Sequence, residues 1–89
     1  PNGYISTGFL QRPSGEWVYA DSEGALVGGW ARDGASWYYL DPATKVMRTG
    51  WLLDRGSWYY LSYSGAMLTG TQTINGRTYV FDESGAWVR

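Results

Sequence analysis

The chain has 89 residues, no cysteine, no histidine and a formal net charge of −1 with a pI near 5.1. These numbers exclude a disulfide framework, thiolate or imidazole metal sites and the basic footprint of a nucleic-acid binder, and nothing in the composition calls for a cofactor. With 6 Trp, 8 Tyr and 2 Phe the aromatics outnumber the 14 Ile, Leu and Val residues, and 13 Gly argue against long helices and for many turns.

No apolar run approaches the roughly 18 residues of a membrane helix, so no membrane insertion is expected. The N-terminus, Pro1-Asn2-Gly3, is polar and shows no signal peptide, so the compartment is not read from it. This start fits a fragment of a longer protein as well as a whole small domain. A chain this short stabilises one ordinary core poorly, and repetition is the remaining way to hold it together.

After a lead-in of residues 1–7, one pattern recurs along the chain. The first copy, residues 8–28, opens with Gly8-Phe9, turns at Ser14-Gly15, runs through Trp17-Val18-Tyr19-Ala20, turns again at Glu23-Gly24 and ends on Leu26. The second, residues 29–49, has Gly29-Trp30, a turn at Asp33-Gly34, the strand Trp37-Tyr38-Tyr39-Leu40 and then Met47. Its second turn, Asp41-Pro42-Ala43-Thr44-Lys45, lacks glycine and carries one extra residue, so a locally different loop is expected. The third, residues 50–69, has Gly50-Trp51, Arg55-Gly56, Trp58-Tyr59-Tyr60-Leu61, Ser64-Gly65 and Met67. The fourth, residues 70–89, is degenerate: Gly70-Thr71, Asn75-Gly76, Thr78-Tyr79-Val80-Phe81, Ser84-Gly85 and Trp87.

Aromatic and β-branched runs favour strands, and Asn-Gly or Asp-Gly between two of them marks a two-residue hairpin. Each copy therefore reads as a β-hairpin. Side chains alternate along a strand, so Trp37 and Tyr39 share one face and Tyr38 and Leu40 the other. A lone hairpin with large apolar groups on both faces is marginal in water. Stacked copies cover each other, which predicts an all-β solenoid of about four tandem hairpins, one repeat module over residues 1–89, with a mainly aromatic spine.

The units Gly29-Trp30…Ser36-Trp37-Tyr38-Tyr39-Leu40-Asp41…Met47-Arg48-Thr49-Gly50-Trp51 and Gly50-Trp51…Trp58-Tyr59-Tyr60-Leu61…Gly65-Ala66-Met67-Leu68-Thr69-Gly70 resemble the cell-wall-binding, or choline-binding, repeat. That repeat occurs in bacterial surface proteins, autolysins and phage lysins, with related repeats in glucansucrases and clostridial toxin tails. The resemblance covers about residues 8–89. It implies a hairpin solenoid with ligand pockets between neighbouring repeats. Each pocket would be a cage made of the residue after Gly, the first Trp of the Trp-Tyr-Tyr strand and an aromatic from the next repeat, with Met nearby. A quaternary ammonium donates no strong hydrogen bond, whereas ring faces attract it by roughly 0.5–2 kcal/mol each, depending on desolvation, and methionine fills the irregular remainder.

Carried onto this chain, the best site is Trp30, Trp37 and Tyr60 with Met67 beside them. Tyr60 is chosen because it shares a face with Trp58, and Tyr59 is the alternative. A second site would use Phe9, Trp17, Tyr39 and Met47, with Phe9 in place of the expected Trp and weaker for it. A third would use Trp51 and Trp58, with Val80 as partner or Tyr79 on the other face. The fourth copy lacks Trp at Thr71 and Thr78 and reads as a terminal cap, its end closed by Trp87.

Packing is the competing account of these side chains. Taken singly, Met47 and Met67 read as packing, as do Tyr38, Tyr59 and Tyr79. As a set the tryptophans are harder to explain that way, because Leu or Val would fill the same space. Catalysis has little support. Without Cys or His the usual nucleophile–base pairs are missing, and Glu16, Asp33, Asp54 and Glu83 lie in or beside turns. Asp21, Asp41 and Asp82 recur just after a strand and read as turn chemistry. Lys45, Arg48, Arg55 and Arg77 read as solvated surface.

The reading is thus a non-enzymatic module of a secreted, cell-wall-associated protein. Its expected partner is choline-bearing teichoic acid. A wall polysaccharide or glucan is the alternative, favoured by Thr73-Ile74-Asn75-Gly76-Arg77-Thr78-Tyr79-Val80-Phe81-Asp82, which looks like the glucan-binding relatives. A structural or dimerisation stalk is the third account, and it leaves a homodimer open.

Overall fold

The computed structural model describes residues 8–89, and the lead-in of residues 1–7 lies outside them. The described residues form eight strands and no helix: β1 Gly8–Gln11, β2 Trp17–Ala20, β3 Gly29–Asp33, β4 Ser36–Leu40, β5 Gly50–Asp54, β6 Ser57–Leu61, β7 Gly70–Ile74 and β8 Arg77–Phe81. They pair as four antiparallel two-stranded hairpins, β1–β2, β3–β4, β5–β6 and β7–β8. This is the all-β, tandem-hairpin architecture expected from the repeats. The chain divides into two compact units, the first ending at Arg48 and the second spanning Thr49–Arg89, with two hairpins in each.

Turn chemistry fixes each register. Arg55-Gly56 and Asn75-Gly76 take φ of 52° and 84°, and 51° and 82°, the paired positive values of a type I′ turn. The β3–β4 turn differs from the expected Asp33-Gly34. Asp33 pairs with Ser36, so the two loop residues are Gly34 and Ala35. Gly34 takes φ 64° and Ala35 does not take positive φ, which matches a type II′ turn with glycine leading. The β1–β2 connection is longer and closes through Arg12 N to Glu16 O at 2.7 Å and Gly15 N to Arg12 O at 2.8 Å.

After each second strand a tight turn returns one residue to that strand. The bridges are Ala20 with Leu26, Leu40 with Met47, Leu61 with Met67 and Phe81 with Trp87. Aspartates organise three of these turns, and Ser62 stands in their place in the other. Asp21 Oδ1 accepts from the amides of Glu23 at 2.9 Å and Ala25 at 3.0 Å, and Asp82 Oδ1 accepts from Ser84 and Ala86 at the same distances. The glycine-free turn is different, as expected. Lys45 takes the left-handed conformation at φ 66°, and Asp41 Oδ1 accepts from Ala43 and Thr44.

The buried set is Val18, Ala20, Ala31, Tyr39, Leu40, Leu52, Leu61, Ile74 and Phe81. Only two of these are aromatic, so the expected aromatic spine is instead a mainly aliphatic core with aromatics at its margin. The last residue of every second strand, Ala20, Leu40, Leu61 or Phe81, is buried. By the ladder registers, every member of the set in the first three hairpins except Tyr39 lies on the face opposite the tryptophans, and Ile74 and Phe81 take the corresponding face of the fourth. Aliphatic side chains and Phe81 thus carry most of the burial, and Trp17, Trp37 and Trp58 stay more than a third exposed. The face that is not needed for the core is left to make a site.

Candidate functional site

Four aromatic residues of the second unit wall one cavity of about 360 Å³: Trp51, Trp58, Tyr79 and Trp87. Its walls come from three consecutive pieces of backbone. On the β5–β6 hairpin, Trp51 faces Tyr60 and Leu53 faces Trp58 across the ladder. Alternation then puts Trp51 and Trp58 on one face, diagonal to each other. Tyr79 comes from β8 of the next hairpin, and Trp87 from the return segment after it.

The rings meet edge to face around Trp51. Trp58 stands 6.3 Å from it at 82°, Tyr79 5.0 Å at 73° and Trp87 6.3 Å at 72°. Tyr79 and Trp87 also meet, at 6.1 Å and 70°. Edge-to-face contacts are the favoured aromatic geometry, so the rings hold one another in place. No lining residue is charged, and the ring faces are the electrostatic feature offered to a ligand. Such a box suits a compact, rounded cation.

Backbone bonding sets where Trp87 sits. Its amide donates to the carbonyl of Trp58 at 2.7 Å, and Val88 N donates to Val80 O at 2.8 Å. The first unit repeats the arrangement. Met47 N donates to Trp17 O at 2.8 Å, and Phe9 lies 4.7 Å from Tyr38 at 72°. Phe9, Trp17, Tyr38 and Met47 therefore occupy the positions that Trp51, Trp58, Tyr79 and Trp87 hold in the second unit.

The ring arriving from the next hairpin differs from the one chosen on the sequence. Phe9 meets Tyr38, whereas Tyr39 is buried and packs on Trp30 of its own hairpin at 5.1 Å. Trp51 meets Tyr79, the other-face alternative for the third site. Tyr60 packs on Trp51 within its hairpin at 5.1 Å. The reason is geometric. Two stacked hairpins present opposite faces to each other, so a pocket opened by one face of a hairpin is completed by the other face of the next. Tyr38, which reads as packing on sequence, and Tyr79, the alternative partner of the third site, are the residues so placed. Facing parity between neighbours was the signal that could have identified them.

The remaining expected residues fall as follows. Trp30 and Trp37 belong to the first unit, Tyr60 and Met67 to the second. The Arg32 guanidinium lies over the Trp37 ring, 5.9 Å from its centre. Met67 packs against Gly85, where a Cβ would fall on the methionine sulfur. Among the described residues no group of three or more His, Cys, Asp or Glu is placed to hold a metal, and no helix is long and apolar enough to cross a membrane. The shifted carboxyls belong to turns. The Ser84 hydroxyl and then the Ala86 amide hold Asp82 below the usual carboxylate value, and the Ala43 and Thr44 amides do the same for Asp41.

A family model described as "Putative cell wall binding repeat" matches residues 28–42 and 49–67. Among solved structures, choline binding protein F from Streptococcus pneumoniae superposes with a TM-score of 0.88 at 35% identity. That match covers 97% of this chain and 29% of the other. The choline binding domain of Spr1274 from Streptococcus pneumoniae matches at 33% identity and TM-score 0.79, covering 94% of this chain and 96% of that domain. The pneumococcal cell wall endolysin from phage Cp-1, solved complexed with choline, matches at 30% identity and TM-score 0.77, covering 99% of this chain and 27% of the endolysin. The chain thus spans under a third of protein F and of the endolysin, and nearly all of the Spr1274 domain. No curated protein sequence matches the chain.

Proposed function

The chain belongs to the choline-binding, cell-wall-binding repeat family, and from that premise we propose that it is a non-catalytic module anchoring a secreted bacterial protein to the wall through aromatic cages for the choline of teichoic acid. The observation that carries this reading is the cavity walled by Trp51, Trp58, Tyr79 and Trp87 with no charged group in its lining. A trimethylammonium head has no N–H to donate, so a carboxylate would recognise it poorly. Ring faces set at steep angles surround it with negative quadrupole on several sides. Burial of its methyl groups against indole adds the apolar part of the binding.

A flat sugar ring would need one open aromatic face lying parallel to it. The half-exposed Trp58 and Trp87 favour that second reading, in which the module stacks on a wall glycan. The steep angles about Trp51 favour the cation.

Calorimetric titration of the full chain with choline and, in parallel, with glucose oligomers separates the readings. Saturable heat with choline, reduced in Trp58→Ala, is the expected result. Heat with the sugars alone would replace the cation cage with glycan stacking. No heat with either ligand from a folded chain would leave the rings as packing in a structural stalk.

A further inference from the structure

The side chain that follows the turn of the third hairpin reaches the return turn of the fourth. Met67 is fixed at its backbone by the bridge to Leu61, and its thioether lies against Gly85. A Cβ on Gly85 would meet the sulfur first, then Cε at 2.7 Å and Cγ at 2.9 Å. The hairpin-turn glycines Gly56 and Gly76 have open space at the same place. Gly85 stands two residues before Trp87, a wall of the aromatic cavity. The thioether thus braces the turn that delivers that wall.

The main-chain donors of this turn are all engaged. Ser84 N and Ala86 N donate to Asp82 Oδ1 at 2.9 and 3.0 Å, and Gly85 N donates to Asp82 O at 3.0 Å. Trp87 N donates to Trp58 O at 2.7 Å, and Val88 N to Val80 O at 2.8 Å. The Ser84 hydroxyl also donates to Asp82 Oδ1, at 2.7 Å. A thioether needs no donor and suits such a surface. A strong acceptor in its place would find every amide from Ser84 to Val88 already used.

Peroxides convert a thioether into that acceptor. The S–O bond forms as the O–O bond breaks, the sulfur gives up two electrons, water leaves, and reduction of the sulfoxide reverses the change. Met67 is only half-buried, which leaves a small oxidant such as hydrogen peroxide an approach to its side chain. A sulfoxide oxygen pressed against the turn would lack a partner, and an unpaired polar group out of water is costly. The oxidised side chain therefore turns to solvent and withdraws its packing from Gly85.

We propose that Met67 is an oxidation-sensitive latch: its thioether holds the Gly85 turn, and with it Trp87, in the cavity wall, and its sulfoxide releases them. Met67 is a positioning residue in this role, since the cavity is walled by Trp51, Trp58, Tyr79 and Trp87. The effect on binding rests on the cation-cage reading and adds to it a reversible control of the same site. Freeing one ring of the wall corresponds to about two- to fivefold weaker choline binding in the second unit.

The chain has 2 methionines, so Met47→Leu leaves Met67 as its one thioether. The isotope-labelled full chain with this change is treated with dilute hydrogen peroxide, and mass spectrometry confirms the single added oxygen. Choline is then titrated while two-dimensional proton–nitrogen NMR follows the indole N–H of Trp58 and Trp87, and dispersed spectra check folding. Oxidation is expected to shift the Trp87 resonance and weaken choline binding about two- to fivefold, and methionine sulfoxide reductase to restore both. Adding Met67→Leu is expected to abolish the response to peroxide. Adding Trp87→Ala instead is expected to remove the oxidation-dependent loss of affinity read at Trp58, because the two changes act through one ring. A Trp87 resonance and an affinity unmoved by complete oxidation, or a Met67 that resists peroxide in the folded chain, overturn the latch alone. An equal loss in the Trp87→Ala chain also overturns it, as a general loosening that does not run through Trp87. No choline response before oxidation overturns the cage reading, and the latch is then decided by the Trp87 resonance.

Discussion

The main-chain amide of Trp87 donates to the main-chain carbonyl of Trp58 at 2.7 Å, and the corresponding bond joins Met47 to Trp17 at 2.8 Å. The backbone thus delivers whatever side chain follows the turn to the tryptophan of the preceding hairpin. In the first unit that side chain is a thioether, in the second an indole. Trp87→Met should therefore fold normally and keep its cage with one ring fewer. Loss of one exposed-type cation–π contact corresponds to about a two- to fivefold weaker choline affinity, measurable by calorimetry against the unaltered chain.

The opposite-face rule gives a second prediction. Tyr79 reaches Trp51 from the next hairpin, while Tyr60 packs on Trp51 from its own. Tyr79→Leu keeps bulk but removes a wall ring, and should weaken choline binding in the second unit by about tenfold. Tyr60→Phe keeps the ring contact and should stay within about twofold. Equal losses in the two variants would contradict the placement of Tyr79 as the wall.

Gly85 is held by two constraints at once, its φ of 91° and the Met67 side chain seated where a Cβ would go. Gly76 has a similar φ of 82° but open space around it. Gly76→Ala should lose about 1–2 kcal/mol from the left-handed backbone alone. Gly85→Ala should lose that and about 1 kcal/mol or more from displaced packing. Thermal or urea unfolding measures the difference, and adding Met67→Ala to Gly85→Ala should narrow it.

Acid should loosen the return turns. The Ser84 hydroxyl and Ala86 amide favour the ionised Asp82, and the Ala43 and Thr44 amides favour ionised Asp41, so both titrate below their ordinary value of 3.8. Groups with a depressed folded-state pKa contribute stability that is present above the unfolded value and is lost as pH falls through the folded one. The melting temperature should hold down to about pH 4 and then fall. Asp82→Asn should lower it near neutrality and flatten the acid-side decline. An acid decline in Asp82→Asn as steep as in the unaltered chain would contradict a contribution from that carboxyl.

Much of this was legible in the sequence because the period is short and the turn residues are specific. Asn75-Gly76 marks its hairpin directly, since few residue pairs accept two positive φ values in a row, and Arg55-Gly56 is found by its place in the repeat. The glycine-free turn at Asp41–Lys45 announced its own irregularity. The Asp33-Gly34 turn was misplaced by one residue, because Gly also leads a type II′ turn and only the pairing of Asp33 with Ser36 distinguishes the two. Alternation places Trp58 and Tyr60 on one face but does not say which face of the next hairpin lies against it. That depends on stacking, a tertiary relation, and so Tyr38 stood one residue away from the Tyr39 chosen, and Tyr79 was only the alternative to Val80. The buried core was also less visible than the aromatics. Ala20, Leu40, Leu61 and Phe81 share a place at the end of the second strand but not a residue type.

The central claim is that the rings recognise positive charge and not merely a methylated shape. The most direct measurement compares choline with 3,3-dimethylbutan-1-ol, its neutral carbon counterpart, by calorimetric titration of the full chain. The account predicts saturable choline binding and an affinity for the neutral alcohol at least tenfold weaker, as loss of cation–π attraction at several rings requires. Equal affinities for the two ligands would contradict it and reduce the aromatic box to a hydrophobic pocket.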